Sequence, residues 1–357
     1  MDVFSLGFAV SNLGPKSYQK LLEKFGNSEK AWTGASWEYK EAGVKGVALA
    51  KFEHFRNTFD SKKYIRLLEK ENIQFISFLD KKYPKGLKML PDPPIGLFCK
   101  GNTDLLKSKF SVGVVGTRKI TEYGKTVTAT LVTGLVNHGV SIISGLAIGV
   151  DAAAHRATIE SCGSTVAVLA CGVDCCSPSE NYSLYRNIIR SNSLIISEYP
   201  VSLNPNKGTF LARNRIIAAL SDGVLVTEAA EGSGSLVTAD WGFRLSKKVF
   251  AVPGSIDSPM SKGSISLLKK GAILVTEVED ILNAYSKGEK NIGKKTTTKK
   301  LNLSKEEKTV IDLIQSESMT TDDLVKKIKF EVRVVSRILS GLELKGVIKN
   351  VNGKWSY

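Results

Sequence analysis

Between residues 112 and 276 one hydrophobic pattern keeps recurring. Short apolar, β-branched runs fall at 112–115, 140–143, 165–169, 194–197, 224–227, 249–252 and 273–276, and the later ones follow helical stretches. The runs are apolar at successive positions, so each strand they form is covered on both faces. Strands of that kind alternating with helices make βαβ units and a mostly parallel sheet. The expected fold class is α/β: a Rossmann-like, doubly wound sheet over residues 76–286.

The pattern differs on either side. Residues 1–75 read as a helical module of SAM or helix-hairpin-helix type, with Leu21, Leu22 and Phe25, then Ile65, Leu67 and Leu68, at helical spacing. Leu13-Gly14-Pro15-Lys16 ahead of Leu21-Leu22-Glu23-Lys24-Phe25-Gly26 fits a small helix–turn–helix unit, serving either packing or a grip on a DNA backbone. Residues 287–302 are polar and basic with almost no apolar anchors, the composition of a flexible linker.

Residues 303–357 read as a winged helix. Ser304-Lys305-Glu306-Glu307 is a capping box, Thr320 or Thr321 caps a second helix through Ile328, and a third runs from about Glu331 to Lys345. Val334, Val335, Ile338, Leu339 and Leu342 face inward on it, and Gly346 stops it. Asn352-Gly353 then signals a hairpin turn. The third helix offers Arg333 and Arg337 outward alongside Glu331 and Glu343, so DNA-groove reading and protein contact are both open.

The run 126–150 has no formal charge over 25 residues and invites a membrane reading. It also carries Asn137, His138, several Thr and Ser residues and four glycines, and it breaks at His138-Gly139. A buried helix followed by a buried strand fits better, and no membrane partner is expected.

Charge changes the picture. The formal net charge is +15 over 357 residues, which favours polyanionic partners, nucleic acid first and a membrane surface second. Residues 1–107, 108–287 and 288–357 carry nets of +6, +3 and +6. The middle segment is only mildly basic, so its binding power must come from a few placed cations. Cys99, Cys162, Cys171, Cys175 and Cys176 are odd in number and irregularly spaced, which argues against a disulfide framework; with three histidines, no zinc site is expected either. Met1-Asp2-Val3-Phe4 opens no signal peptide, and a reducing cytoplasm is the consistent compartment. No metal and no cofactor are expected.

The placed cations stand together. From Lys207 to Arg215, in Lys207-Gly208-Thr209-Phe210-Leu211-Ala212-Arg213-Asn214-Arg215, three cations, an aromatic and an amide precede an apolar helical run. Cations that neutralise phosphates, beside an aromatic that stacks on a base, are what a single-strand nucleic-acid site needs. The structural alternative has Arg213 and Arg215 bonding carbonyls at strand ends and Phe210 in the core. Pro205, Lys207 and Gly208 mark a loop, with Phe210 at its close.

Glycine-rich turns follow three of the strands, and carboxyl edges of parallel strands form the binding crevice. After Gly116 and Thr117, free backbone N–H groups can receive an anionic oxygen, and Arg118 can add a bidentate contact. Ser144-Gly145 leads to Asp151, and Glu228 leads to Ser233-Gly234-Ser235. None of these turns is a P-loop or a dinucleotide fingerprint. Asp151 is expected to cap the helix carrying His155, and a structural contact between them is preferred to acid–base chemistry. Glu198 and Glu228 read as ion-pair partners that order Arg213 and Arg215, in preference to crevice carboxylates of a nucleotide hydrolase.

These blocks, in this order, resemble the DNA-processing protein A family, also called Smf, over most of the chain. They comprise Tyr83-Pro84, Asp92-Pro93-Pro94, Val115-Gly116-Thr117-Arg118 with Tyr123-Gly124, and Ser144-Gly145-Leu146-Ala147 with Gly149-Val150-Asp151 and Ala154-His155. They continue with Arg213-Asn214-Arg215-Ile216-Ile217-Ala218, Ser233-Gly234-Ser235-Leu236 with Thr238-Ala239, and Val252-Pro253-Gly254 with Gly263. The resemblance implies a non-enzymatic protein that binds and protects single-stranded DNA and helps load the RecA-type strand-exchange recombinase in natural transformation and recombination. It also implies a homodimer made through the Rossmann-like domain, with single-strand DNA-binding protein among the partners. The implied pocket uses Arg118, Lys207 and Phe210, with Gly116, Thr117, Ser144, Gly145, Arg213, Asn214, Arg215, Ser233 and Gly234 around it.

One departure is visible. Ser177-Pro178 follows Gly172-Val173-Asp174 where the family commonly has Tyr-Pro. The enzyme alternative is a nucleotide phosphoribohydrolase on a related fold. Its Pro-Gly-Gly-x-Gly-Thr loop is replaced here by Glu231-Gly232-Ser233-Gly234-Ser235. A third reading is a sequence-specific regulator acting through residues 303–357.

Overall fold

The computed structural model describes residues 1–11, 13–286, 304–317, 319–328, 330–344, 347–351 and 353–356. The expected linker 287–302, the third helix's last residue Lys345, its stop Gly346, and Asn352 of the expected turn lie outside the described residues. The chain divides into two compact units, Met1–Lys295 and Thr296–Tyr357.

The first unit opens with six helices: α1 (Val3–Val10), α2 (Pro15–Phe25), α3 (Ser28–Thr33), α4 (Ser36–Glu41), α5 (Gly46–Thr58) and α6 (Ser61–Lys70). Then come β1 (Gln74–Ser77), α7 (Lys85–Lys88), β2 (Gly96–Gly101), β3 (Ser111–Val115), α8 (Glu122–Asn137), β4 (Ser141–Ser144), α9 (Val150–Glu160), β5 (Thr165–Val168), α10 (Tyr182–Arg190) and β6 (Leu194–Ser197). It closes with α11 (Lys207–Leu220), β7 (Gly223–Val226), α12 (Gly234–Arg244), β8 (Lys248–Ala251), α13 (Lys262–Lys269), β9 (Ile273–Leu274) and α14 (Val278–Ser286). All seven anticipated strands are present, within two residues of their expected places. The run 126–150 is α8 continuing into β4, and among the described residues no helix is long and apolar enough to cross a membrane.

One nine-stranded sheet has the order β1-β2-β6-β5-β4-β3-β7-β8-β9. From β6 to β9 every pairing is parallel, while β1 and β2 join as antiparallel strands at one end. Val112 of β3 lies opposite Ile142 of β4 on one side and Gly223 of β7 on the other. The winding direction reverses between β3 and β7, and such a switch point opens a crevice at the strands' carboxyl ends.

Helices cover both faces, as the doubly apolar strands require. On one face Leu87, Ile216, Ile217, Ala239 and Leu267 of α7, α11, α12 and α13 pack on the strands. On the other, Leu131 and Leu135 of α8, Ala154 of α9 and Ile281 of α14 do so. The N-terminal helices have their own aromatic core, with Phe8 stacked on Phe52 at 5.1 Å between centroids. Through Leu6 of α1 and Leu68 of α6 they share a further core with Phe75, Phe98 and Ile195 of the sheet.

The second unit comprises α15 (Lys305–Ser316), α16 (Thr321–Ile328), α17 (Val332–Leu344), β10 (Lys349–Val351) and β11 (Lys354–Ser356), a winged helix. The capping box forms: Glu307 N–H donates to the Ser304 hydroxyl at 3.1 Å, and Ser304 N–H to the Glu307 carboxylate at 2.8 Å. Thr320 caps α16 through Asp323 in the same way. Val310, Leu324, Val335, Leu342 and Trp355 build the core, leaving Arg333 and Arg337 exposed.

Candidate nucleic-acid interface

A cleft of about 760 Å³ opens at the carboxyl edge where β3 and β7 part. Its walls are the turn after β3, the start of α9, the first turn of α11 and the loop leading into α12. Two helix N-termini, those of α11 and α12, therefore face it, each carrying partial positive charge. Asn206 sets the start of α11: its side chain accepts from Thr209 N–H at 3.1 Å, and Thr209 Oγ1 accepts from Asn206 N–H at 2.9 Å. The loop thus ends four residues before Phe210, not at it. Lys207 is already the first helical residue, and Phe210, three positions on, shares its helix face.

Three side chains meet in this cleft from two elements, Arg118 from the turn after β3 and Lys207 and Phe210 from α11. Arg118 and Lys207 are exposed, and Phe210 is half-buried. The Arg118 guanidinium lies 5.1 Å from the Phe210 ring centroid, and that of Arg213 lies 6.0 Å away, both within cation–π range.

Arg213 is a strut. It is 4% exposed and donates to the Val168 carbonyl at 2.6 Å and to the Gly145 carbonyl, joining α11 to the ends of β5 and β4. Gly145 must lack a side chain, because a Cβ there would occupy the guanidinium's place. Asp151 lies alongside, accepting from Gly145 N–H at 3.1 Å and Ala147 N–H at 3.4 Å. Burial disfavours both charges, pushing the Asp151 carboxyl up and the Arg213 guanidinium down, and each group opposes the shift of the other. Asn214 accepts from Arg213 Nε at 3.2 Å and donates to the Gly234 carbonyl at 3.1 Å, tying α11 to α12.

Several expected groups are engaged elsewhere. Arg215 points away from the cleft and pairs with Glu198 at 2.7 Å and Asp92 at 3.2 Å. Burial works against its charge, and the two carboxylates more than offset this, so its proton is held more tightly than usual. Ser144 is fully buried, its hydroxyl donating to the Val114 carbonyl at 2.7 Å. After Gly116 the expected free amides are used: Thr117 N–H donates to the Glu228 carbonyl at 2.7 Å, and Lys119 N–H to Thr117 Oγ1 at 3.1 Å. Among the described residues the Glu228 carboxylate pairs with no arginine; it accepts from Thr121 N–H at 2.9 Å and Thr121 Oγ1 at 2.7 Å, at the start of α8. Gly149, not Asp151, caps α9. His155 is sealed in the core against Thr165 at 2.8 Å, and its pKa is pulled down to about 3 by burial and then by Arg213. Ser233 caps α12, and Gly234 lies exposed in the cleft wall.

The sequence model of DNA recombination-mediator protein A matches residues 74–286, and that of the DprA winged helix domain matches 294–354. The chain belongs to the DNA recombination-mediator protein A family. Protein Smf of Synechocystis sp. is 36% identical over 277 residues, covering 76% of this chain and 69% of that protein. The X-ray structure of DNA processing protein A (DprA) from Streptococcus pneumoniae superposes with a TM-score of 0.70 at 35% identity, over 79% of this chain and 98% of that one. A structure concerned with the single-stranded DNA binding mode of DNA processing protein A from Helicobacter pylori reaches a TM-score of 0.54 at 35% identity, over 59% and 94%.

Within this recombination-mediator fold, sequence reasoning missed Lys119, Leu211, Thr238 and Met260, which also line the cleft. Leu211 reads as core by hydrophobicity yet is 47% exposed, and Met260 comes from a distant loop with no local signal. Thr238 was legible in principle, one helical turn beyond Ser233-Gly234-Ser235. Among the described residues, no group of three or more His, Cys, Asp or Glu side chains is placed to hold a metal ion.

Proposed function

We propose that the protein binds single-stranded DNA in the cleft between β3 and β7 and works, without catalysing a reaction, as a mediator that protects the strand and delivers it to a RecA-type recombinase. The observation that carries this is the Phe210 ring with Arg118 over it and Lys207 one turn away, at the positive end of α11. A stacking face and phosphate-neutralising cations in one concave site suit single strands and tolerate any base sequence. The Helicobacter pylori relative, whose structure concerns its single-stranded DNA binding mode, supports the same ligand class.

In this reading Arg118 and Lys207 take phosphates and Phe210 stacks. Gly116, Thr117, Ser233 and Gly234 let the strand approach the backbone, and Gly145 leaves room for the Arg213 guanidinium behind them. Arg213 and Asn214 hold the wall, with Ser144 and Arg215 behind it. A homodimer through the Rossmann-like domain, cooperation with single-strand DNA-binding protein and a cytoplasmic setting belong to the same proposal. The phosphoribohydrolase alternative has less support, because Glu198 is engaged by Arg215, Glu228 by Thr121, and His155 is sealed away.

The test compares single-strand with duplex DNA binding by the full chain across a salt series. Preference for the single strand, with log affinity falling linearly in log salt, is expected. Equal affinity for both, or none for either, contradicts the reading.

A further inference from the structure

A second cavity, of about 510 Å³, lies beside the first, between the start of α8 and the loop after β8. We propose that it is a second nucleotide subsite, taking the base and sugar adjacent to the nucleotide held at Phe210. The inference rests on the single-strand reading above and extends it along the carboxyl edge of the sheet.

The two cavities share a wall. Glu228 lines the second, its carbonyl accepts from Thr117 of the first, and Ala230, two residues on, lines the first. Met260 lines the first cavity between Ser258 and Ser261, which line the second. A chain crossing from one to the other passes the end of β7 and the Ser258–Ser261 turn. Arg118 and Lys119 lie on the segment joining Thr117 of the first cavity to Thr121 of the second, and both are exposed. That is where the connecting phosphate needs its cations.

The lining suits a base, not a phosphate. It contains no cation, and its one carboxylate, Glu228, is committed to Thr121. Ser255, Ser258 and Ser261 offer hydroxyls that both donate and accept, matching the mixed edges of bases and sugars. At the rim, Tyr123 is 49% exposed and its hydroxyl donates to the Pro253 carbonyl at 2.7 Å, pinning the ring between α8 and the β8 loop. A ring fixed in advance loses little entropy when a base stacks on it. Gly124 makes the arrangement possible: a Cβ there would run into the Glu228 carboxylate that anchors this turn. Ile256, 81% exposed on the same loop, adds an apolar surface.

The experiment measures binding of fluorescent oligothymidylates of increasing length to the full chain. For Tyr123→Ala, affinity for long oligonucleotides should fall roughly five- to tenfold, the low end of what one stacked base contributes. Affinity for the shortest binder, which fills only the first cavity, should stay unchanged, as should the salt slope. Tyr123→Phe should keep most of the affinity. Ser258→Trp, which fills the cavity from the loop side, should reproduce the length-dependent loss and guards against misfolding of the alanine variant. Lys207→Ala is the reference and should weaken every length. Wild-type behaviour of Tyr123→Ala and Ser258→Trp at all lengths, with Lys207→Ala weakened, overturns the second subsite alone. Wild-type behaviour of Lys207→Ala as well overturns the single-strand site beneath it.

Discussion

The Arg118 guanidinium stands 5.1 Å from the centre of the Phe210 ring, although one residue follows β3 and the other sits in the first turn of α11. The fold brings them together only because β6 connects to β7 through α11, across the switch point beside β3. If the pair forms one binding element, it should behave as one. Arg118→Ala and Phe210→Ala should each weaken single-strand binding by about 1–3 kcal/mol. The double variant should lose less than the sum, because the second change removes a partner already gone. Strict additivity in a double-mutant cycle would separate the two.

Gly145 is sterically required behind the cleft wall. Gly145→Ala places a methyl where the Arg213 guanidinium now binds two carbonyls. Overpacking of this kind costs about 1–3 kcal/mol. Urea unfolding should show that loss, and DNA affinity should fall with it because Arg213 holds the start of α11. Unchanged stability would mean the strut is dispensable.

Glu198 and Arg215 form a buried pair whose loss should register in stability. Replacing Glu198 with alanine leaves the 4%-exposed Arg215 with only Asp92, which is itself partly exposed. Removing one member of a buried pair costs about 3–5 kcal/mol, against near neutrality when the whole set becomes apolar. Chemical denaturation of Glu198→Ala checks this, and a loss under about 1 kcal/mol would show that water reaches the pair.

Much of this was legible in the chain, for physical reasons that differ by element. Six of the seven parallel strands are buried on both faces, so their composition alone marks them, and β9 at the sheet's edge is marked by its apolar run although Leu274 is exposed. The antiparallel strand β1 escaped because Gln74–Ser77 is only four residues long and starts just after α6 ends at Lys70. Arg118, Lys207 and Phe210 stand out because a cation or aromatic beside a glycine turn has few structural excuses. Arg215 and Ser144 look alike in sequence to cleft residues, yet one helical step or one strand position turns each inward. The sequence reads Glu228 as an arginine partner, and only the fold shows that Thr121 holds its carboxylate.

His155 gives the stability a pH signature. Its folded pKa is about 3 against an ordinary 6.5, so below pH 6.5 the unfolded chain binds a proton that the folded chain refuses. Its contribution to stability is intact above that value and is lost as pH falls towards 3. Asp151 and Glu198 are shifted upward by burial and act with the opposite sign, so the informative quantity is the difference between wild type and His155→Asn. That difference should change by roughly 1.4 kcal/mol per pH unit below 6.5. Parallel profiles would mean His155 protonates freely in the folded state.

The central claim is that Lys207 and Phe210 contact the strand through different physics. A fluorescence anisotropy titration of single-stranded DNA over a salt series separates them. Lys207→Ala should lower affinity and reduce the slope of log affinity against log salt by about one phosphate contact, roughly 0.7. Phe210→Ala should lower affinity by about 1–3 kcal/mol and leave the slope unchanged. If both folded variants bind as tightly as wild type with the same slope, the cleft between β3 and β7 is not where the strand binds.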